Sequence, residues 1–212
     1  MTTKFILHGH FLSGPTIKVG LMLRLCGEPF AFRLVDLRAG AQKRPEYLKL
    51  NRFGVVPALV NGDLALCQSN AILEYLAETL HKFDGGNTPA RARIREWLFW
   101  DFDRLSPGIF RSRALARGFF TAEKPVADLF RQNGEAALGE LEKALAGTPF
   151  LTGSSPTIAD IACHVVVGMA PEGGFDLTPY SNVRAWSGRM AALPGAKPPG
   201  EVLPQVDTDE VR

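Results

Sequence analysis

"FGVVPALVNGDLALCQSNAIL", residues 53–73, begins like a buried strand and sets Pro57 inside it. Proline has no backbone N–H and is normally kept out of central ladder positions. Beyond it come more apolar residues, a tight Asn61-Gly62-Asp63 turn, a second short apolar run and a helix. The pattern predicts strands over 57–60 and 64–66. From Ser69 a helix follows, with Ile72, Tyr75, Leu76, Thr79 and Leu80 at helical spacing. A β-β-α unit whose first strand is entered through a residue that cannot pair has a fold to explain at that entrance.

Working toward the N-terminus, "KFILHG" (4–9) reads as a short apolar strand over residues 4–8. "TIKVGLMLRLCG" (16–27) reads as a helix with Pro15 in its first turn and Gly27 as its stop. "FAFRLVDL" (30–37) alternates as a second strand, and "RPEYLKL" (44–50) carries a short helical turn. The order is β-α-β-α-β-β-α. "HKFDGGNTP" (81–89) then breaks the pattern with Gly85-Gly86 and a Thr-Pro helix start. Beyond it, a long helix is predicted from about Pro89 with a bend at Ser106-Pro107, and a second over 123–146. Thr157 caps a further helix with Asp160 at the reciprocal position, and Ile158, Ile161 and Val165 form its buried stripe. "NVRAWSGRMAAL" (182–193) is the last helix. Residues 194–212 contain Pro194, Pro198, Pro199 and Pro204 without periodicity, and read as an extended or frayed tail. This divides the chain into an α/β domain 1–81, a linker 82–88, an all-helical domain 89–193 and a tail 194–212.

The 212 residues carry 24 basic and 22 acidic side chains, a formal charge of +2, which implies no nucleic-acid or other polyanionic partner. Arg91, Arg93 and Arg95 alternate with Glu96 and apolar residues, as on a solvated helix face. The opening "MTTKFILHGH" has too short an apolar run for a signal sequence, and no stretch approaches a membrane span. Cys26, Cys67 and Cys163 form no C-x-x-C pair, which argues for a reducing, cytoplasmic setting and against a zinc site or disulfide framework. His8 and His10 read as ordinary strand-end histidines and His164 as a satisfied core histidine, so no metal is expected.

An α/β unit of this order, with a proline opening its third strand, resembles the thioredoxin-like fold. Followed by an all-helical domain, the chain resembles a cytosolic glutathione S-transferase of bacterial type, in the theta- or nu-like subgroup that uses serine or threonine. "FGVVPALVNGDLALCQSNAILEYLAE" (53–78) is similar to the family's glutathione-binding segment. "FLTGSSPTIADI" (150–161) is similar to its capping box, and "PYSNVRAWSGRMAALPG" (179–195) to its C-terminal stretch. The resemblance covers nearly the whole chain. It implies a cis bond before Pro57, which for X-Pro costs only about 0.5–1 kcal/mol. The N–H and C=O of Val56 would then turn from the sheet and pair with a bound peptide as an added strand does. A plain loop proline is the other reading of the pentad, and Gln68-Ser69 just after it makes that the weaker one.

The resemblance implies further roles. Ser69, at a helix start, is read both as N-cap and, with the first free N–H groups, as an anion site for the γ-glutamyl carboxylate. Gln68 offers a carbonyl to the ammonium. Gln42 and Lys43 of "AQKRPEYL" stand where the family receives the glycine carboxylate, although Lys43 alone reads as a surface lysine. The chemistry needs glutathione's thiol, with pKa about 8.5, as thiolate, and each unit of lowering requires about 1.4 kcal/mol. The family places Tyr, Ser or Cys after the first strand to donate to the sulfur. "HGHFLSGPTIKV" (8–19) has neither tyrosine nor cysteine there, so Ser13 takes that role, with Thr16 the second choice and helix capping the plain alternative for Ser13. Cys67 reads as a buried strand-end cysteine, with a mixed disulfide open if it faces the cleft. Arg52 stands where the family often has proline, and no consequence is expected.

"REWLFWDFDRLSPGIFRSRALARGFF" (95–120) concentrates Trp97, Phe99, Trp100, Phe102, Phe110, Phe119 and Phe120. Some belong to core or dimer contacts. Others, Trp97 and Trp100 with Arg104 and Arg111 foremost and Arg113 besides, would receive a small apolar or aromatic second substrate. The implied function is a glutathione-dependent transferase, with disulfide reductase, peroxidase or lyase activity as variants, in a homodimer. A non-catalytic binding or scaffold protein of the same fold is the alternative.

Overall fold

Phe5, Leu7 and Gly9 are buried while Ile6 and His8 are half-exposed, and this period of two makes Phe5–Gly9 the strand β1. In the computed structural model, which describes residues 4–212, β1 lies at the centre of a five-stranded sheet. Helix α1 (Gly14–Leu25) follows, with Pro15 in its first turn, and then β2 (Phe30–Leu34), parallel to β1. A 3-10 turn and the short α2 (Pro45–Leu48) lead to β3 (Ala58–Asn61) and β4 (Leu64–Cys67), an antiparallel hairpin on the other side of β1. Helix α3 (Ser69–Leu80) packs beside α1. Phe5, Phe30, Phe32, Ile17, Leu21, Leu59, Ile72 and Leu73 are all buried in this unit. The β-α-β-α-β-β-α order and the mixed sheet are those of a thioredoxin-like unit.

The expected tail is a correction. Leu193–Arg212 belongs to the same compact unit as the residues up to Lys82. Its last strand, β5 (Thr208–Val211), pairs antiparallel with β2, giving the order β4-β3-β1-β2-β5. Val202, Leu203 and Val211 are buried. Gly20 makes the groove for this strap: a Cβ there would stand 2.6 Å from Leu203 Cδ2 and 3.1 Å from Val202 Cγ1. Polar contacts hold its length. Arg24 Nε donates to the Val202 carbonyl (2.7 Å) and its Nη1 to that of Arg212; the Leu34 N–H donates to Asp207 (2.8 Å), and Arg33 pairs with Asp209 (2.7 Å). A segment anchored by residues nearly two hundred positions away shows no local periodicity, so none was there to read.

The second unit, Phe83–Ala192, is helical. Helix α4 (Thr88–Trp100) starts at the Thr-Pro pair as expected, and Asn87 caps it, accepting from the Ala90 N–H at 2.9 Å. A π-helical turn, Asp101–Leu105, leads into α5 (Ser106–Ala116). This π-helical turn ends immediately before the Ser106-Pro107 pair where a bend was expected. Pro107 follows this turn, and Ser106 Oγ bonds the buried Asp101 carboxylate (2.8 Å). Helices α6 (Lys124–Ala144), α7 (Ile158–Met169) and α8 (Ser181–Ala191) complete the unit. Both halves of the Thr157–Asp160 capping box form. Buried Asp160 accepts from the N–H groups of Leu151 (2.9 Å) and Thr157 (2.8 Å), Thr157 Oγ1 (3.1 Å) and Trp186 Nε1 (2.9 Å). Burial pushes its carboxyl above the ordinary range against the pull of these bonds, which tie the loop before α7 to α8. His164 is buried as expected, beside Ser187 Oγ (3.3 Å) and edge-on to Trp186.

Candidate functional site

Register brings the singled-out residues of the first unit together. β1 runs parallel to β2 and antiparallel to β3, which runs antiparallel to β4, with His8 opposite Ala58 and Ala58 opposite Cys67. The C-terminal ends of β1, β2 and β4 and the N-terminal end of β3 thus share one edge of the sheet. From that edge leave the loop to Ser13, the segment carrying Gln42 and Lys43, the pair Val56-Pro57, and Gln68-Ser69.

The Val56-Pro57 bond is cis. What holds this corner is Asn51, fully buried. Its Nδ2 donates to the carbonyls of Val55 (2.6 Å) and Pro57 (3.1 Å), and its Oδ1 accepts the Phe53 N–H (3.0 Å). Tyr47 OH adds a second bond to the Val55 carbonyl (2.9 Å). The side chain therefore grips both neighbours of Val56, whose own N–H and C=O have no hydrogen bond to other described residues. Asn51 was not singled out from the sequence, though Asn-x-x-Gly before an apolar run is a turn signal that points to it.

Ser13 is the N-cap of α1, half-buried, its Oγ accepting the Thr16 N–H at a long 3.4 Å. Capping uses a lone pair and leaves the hydroxyl proton to donate elsewhere, so the capping and functional readings are compatible. Thr16 is 0% exposed, and a Cβ on Gly9 would stand only 2.1 Å from its Cγ2. Its Oγ1 is enclosed without a partner among the described residues, so of the two candidates only Ser13 reaches the surface.

Ser69 is not the cap of α3, which corrects one part of its expected role. Gln68 holds that place with φ +73°, and its carbonyl accepts the Ile72 N–H at 2.9 Å. A non-glycine residue in this region costs about 1–3 kcal/mol and is retained where the surroundings impose it, often at binding sites. Ser69 is then the first helical residue, and no side chain caps the helix. Lys43 lies against Gly54, where a Cβ would meet its Nζ at 2.9 Å and the Gln42 carbonyl at 3.1 Å; with φ +60°, Gly54 is what the turn requires. Gln42 Oε1 is buried without a partner among the described residues. Cys67 is half-buried at the end of β4, and Cys26, pushed up to about 11 by burial, is a poor source of thiolate. Arg52 stacks over Phe53 at 4.6 Å.

The residues expected at a second substrate lie in the helical unit. Trp97 and Trp100 meet edge to face at 5.1 Å, and Trp100 Nε1 donates to Glu140 (2.8 Å). Arg104 is exposed beside Asp103, and Arg111 lies 5.9 Å from the Phe120 ring. Arg113 is a correction: it is buried and bound to Glu172 (2.9 Å), which also holds Arg117 (2.6 Å). Its charge is committed to joining α5 to the turn after α7. Phe99 and Phe102 are 74% and 69% exposed and so are not core. Among the described residues no group of three or more His, Cys, Asp or Glu could hold a metal ion, and no helix is long and apolar enough to cross a membrane.

Comparison with known proteins agrees with this geometry. Residues 15–79 match the family model for the glutathione S-transferase N-terminal domain, and residues 124–189 that for the C-terminal domain. The chain is 30% identical to the disulfide-bond oxidoreductase YfcG of Escherichia coli over 184 residues, covering 84% of this chain and 86% of that protein. It is 32% identical to human glutathione S-transferase theta-2 over 195 residues, covering 88% and 80%. A crystal structure of a glutathione S-transferase from Pseudomonas fluorescens superposes with TM-score 0.87 at 32% identity, covering 93% of this chain and 99% of that one.

Proposed function

The chain belongs to the glutathione S-transferase family, and from that premise we propose that it is a transferase that holds glutathione along the edge of its sheet and stabilises the thiolate with the Ser13 hydroxyl. One observation carries the reading: Ser13, Val56-Pro57, Gln68-Ser69 and Gln42-Lys43 leave the same edge. The backbone of Val56 pairs with the peptide as a strand would. The first turn of α3, with Ser69, receives the γ-glutamyl carboxylate, and Gln68 its ammonium. Lys43 and Gln42 receive the glycine carboxylate. The sulfur then lies at the start of α1, where the helix dipole and the Ser13 proton both favour negative charge.

A thiolate so held attacks a small electrophile, which joins the sulfur as its leaving group departs. It equally attacks a disulfide, displacing one sulfur as thiolate, and the similarity to YfcG, named a disulfide-bond oxidoreductase, favours assaying that reaction too. Trp97, Trp100, Arg104 and Arg111 are the residues we assign to the second substrate. Three free cysteines suit a reducing, cytoplasmic setting. The exposed Phe99 and Phe102, with Phe53 of the first unit, suit a two-fold homodimer. Retention on immobilised glutathione, followed by turnover of an aromatic halide and a model disulfide, tests the proposal. Retention without turnover of either substrate would favour the scaffold alternative, and failure to be retained would reject the glutathione site.

A further inference from the structure

The loop that presents Ser13 consists of residues 10–13, and His10 closes it twice. Its carbonyl accepts the Ser13 N–H at 2.9 Å, and its imidazole Nδ1 accepts the Leu12 N–H at 3.1 Å. The ring stacks on Phe11, with centroids 4.5 Å apart and planes 20° apart, so its orientation is held from a second side. A ring nitrogen that accepts carries no proton, which puts the proton of the neutral ring on Nε2. We propose that His10 is a positioning residue for Ser13, its Nδ1 holding the short loop in the form that points the hydroxyl at the sulfur. This inference rests on the reading of Ser13 given above.

The chemistry makes the device sensitive to protonation. A proton on Nδ1 turns the acceptor into a donor facing the Leu12 N–H, and the bond is lost. Burial lowers the basicity of His10; Asp36 opposes that and Arg38 adds to it, both from the segment after β2. The neutral, loop-closing form therefore persists to somewhat below the ordinary imidazole range. Asparagine at this position could accept the same i+2 N–H through its own carbonyl, as in an Asx-turn. Alanine could not.

The test uses the full chain. Histidine nitrogen NMR of the ligand-free protein near neutral pH should find His10 as the Nε2–H tautomer. His10→Ala should speed amide exchange at Leu12 and Ser13, raise the thiol pKa of bound glutathione, and slow conjugation near neutral pH roughly tenfold, on the scale of a displaced donor. His10→Asn should recover most of each effect and lose the part of the acid limb due to imidazole. An Nδ1–H tautomer in the wild type would overturn the inference. So would His10→Ala leaving the bound thiol unchanged while Ser13→Ala raises its pKa. If Ser13→Ala itself leaves the thiol unchanged, the reading of Ser13 fails, and the positioning role fails with it.

Discussion

Ser69 and Asn51 divide the work at the site's corner. Asn51 spends three hydrogen bonds on Phe53, Val55 and Pro57, and in the proposed site the backbone of Val56 is left for the peptide. Ser69 is the first residue of α3, behind Gln68 at φ +73°, and no side chain caps that helix. In the proposed site its value is to the ligand more than to the helix. Ser69→Ala should weaken glutathione binding by about 1–3 kcal/mol, the cost of leaving a charged group short of one hydrogen bond, with little loss of stability. Calorimetry and thermal melting separate the two, and unchanged affinity would remove the anion site. Pro57 stands out in the sequence because it breaks a strand pattern, and Ser69 because a helical spacing starts there, whereas Gln68 carries no local signal and is pointed to by the family resemblance alone. Asn51 was not legible, because a buried asparagine gripping three backbone groups looks in sequence like any turn asparagine.

At the scale of elements, the strands and helices with strong periodicity follow the sequence closely, while those defined by distant partners do not. Strand β5 depends on Arg24, Arg33 and the groove at Gly20, none within reach of a local pattern. If the strap is part of the first unit's core, Leu203→Ala should cost about 2–5 kcal/mol, as a buried leucine does. Denaturant unfolding measures it, and a cost near zero would return the tail to the frayed state that its prolines suggested. On α7, burial pushes His164 down to about 4. The unfolded chain titrates near 6.5, so it takes up a proton between these values that the native state refuses. Stability is therefore full above about pH 6.5 and falls by about 3 kcal/mol as pH drops toward 4. Comparing His164→Gln with wild type near neutrality and near pH 5 isolates this group from Asp160. The variant should lose less stability on acidification, and equal losses would refute the assignment.

Taken whole, the chain exposes Phe99 and Phe102, one helical turn apart, at 74% and 69%, and Phe53 at 48%. The proposed dimer sets the first unit of one subunit against the 89–119 helices of its partner. Sedimentation should find a dimer at micromolar concentration and a monomer for Phe99→Asp with Phe102→Asp; a monomeric wild type would contradict it. Everything proposed for this molecule turns on whether it holds glutathione as a thiolate through Ser13. The most direct measurement is ultraviolet titration of the thiolate of bound glutathione in wild type and Ser13→Ala. In wild type the bound thiol should titrate well below the free value. In Ser13→Ala the pKa should return toward the free value with affinity nearly unchanged, and the rate near neutrality should fall roughly ten- to a hundred-fold. A bound thiol that titrates alike in both proteins, at the value of free glutathione, would contradict the proposal.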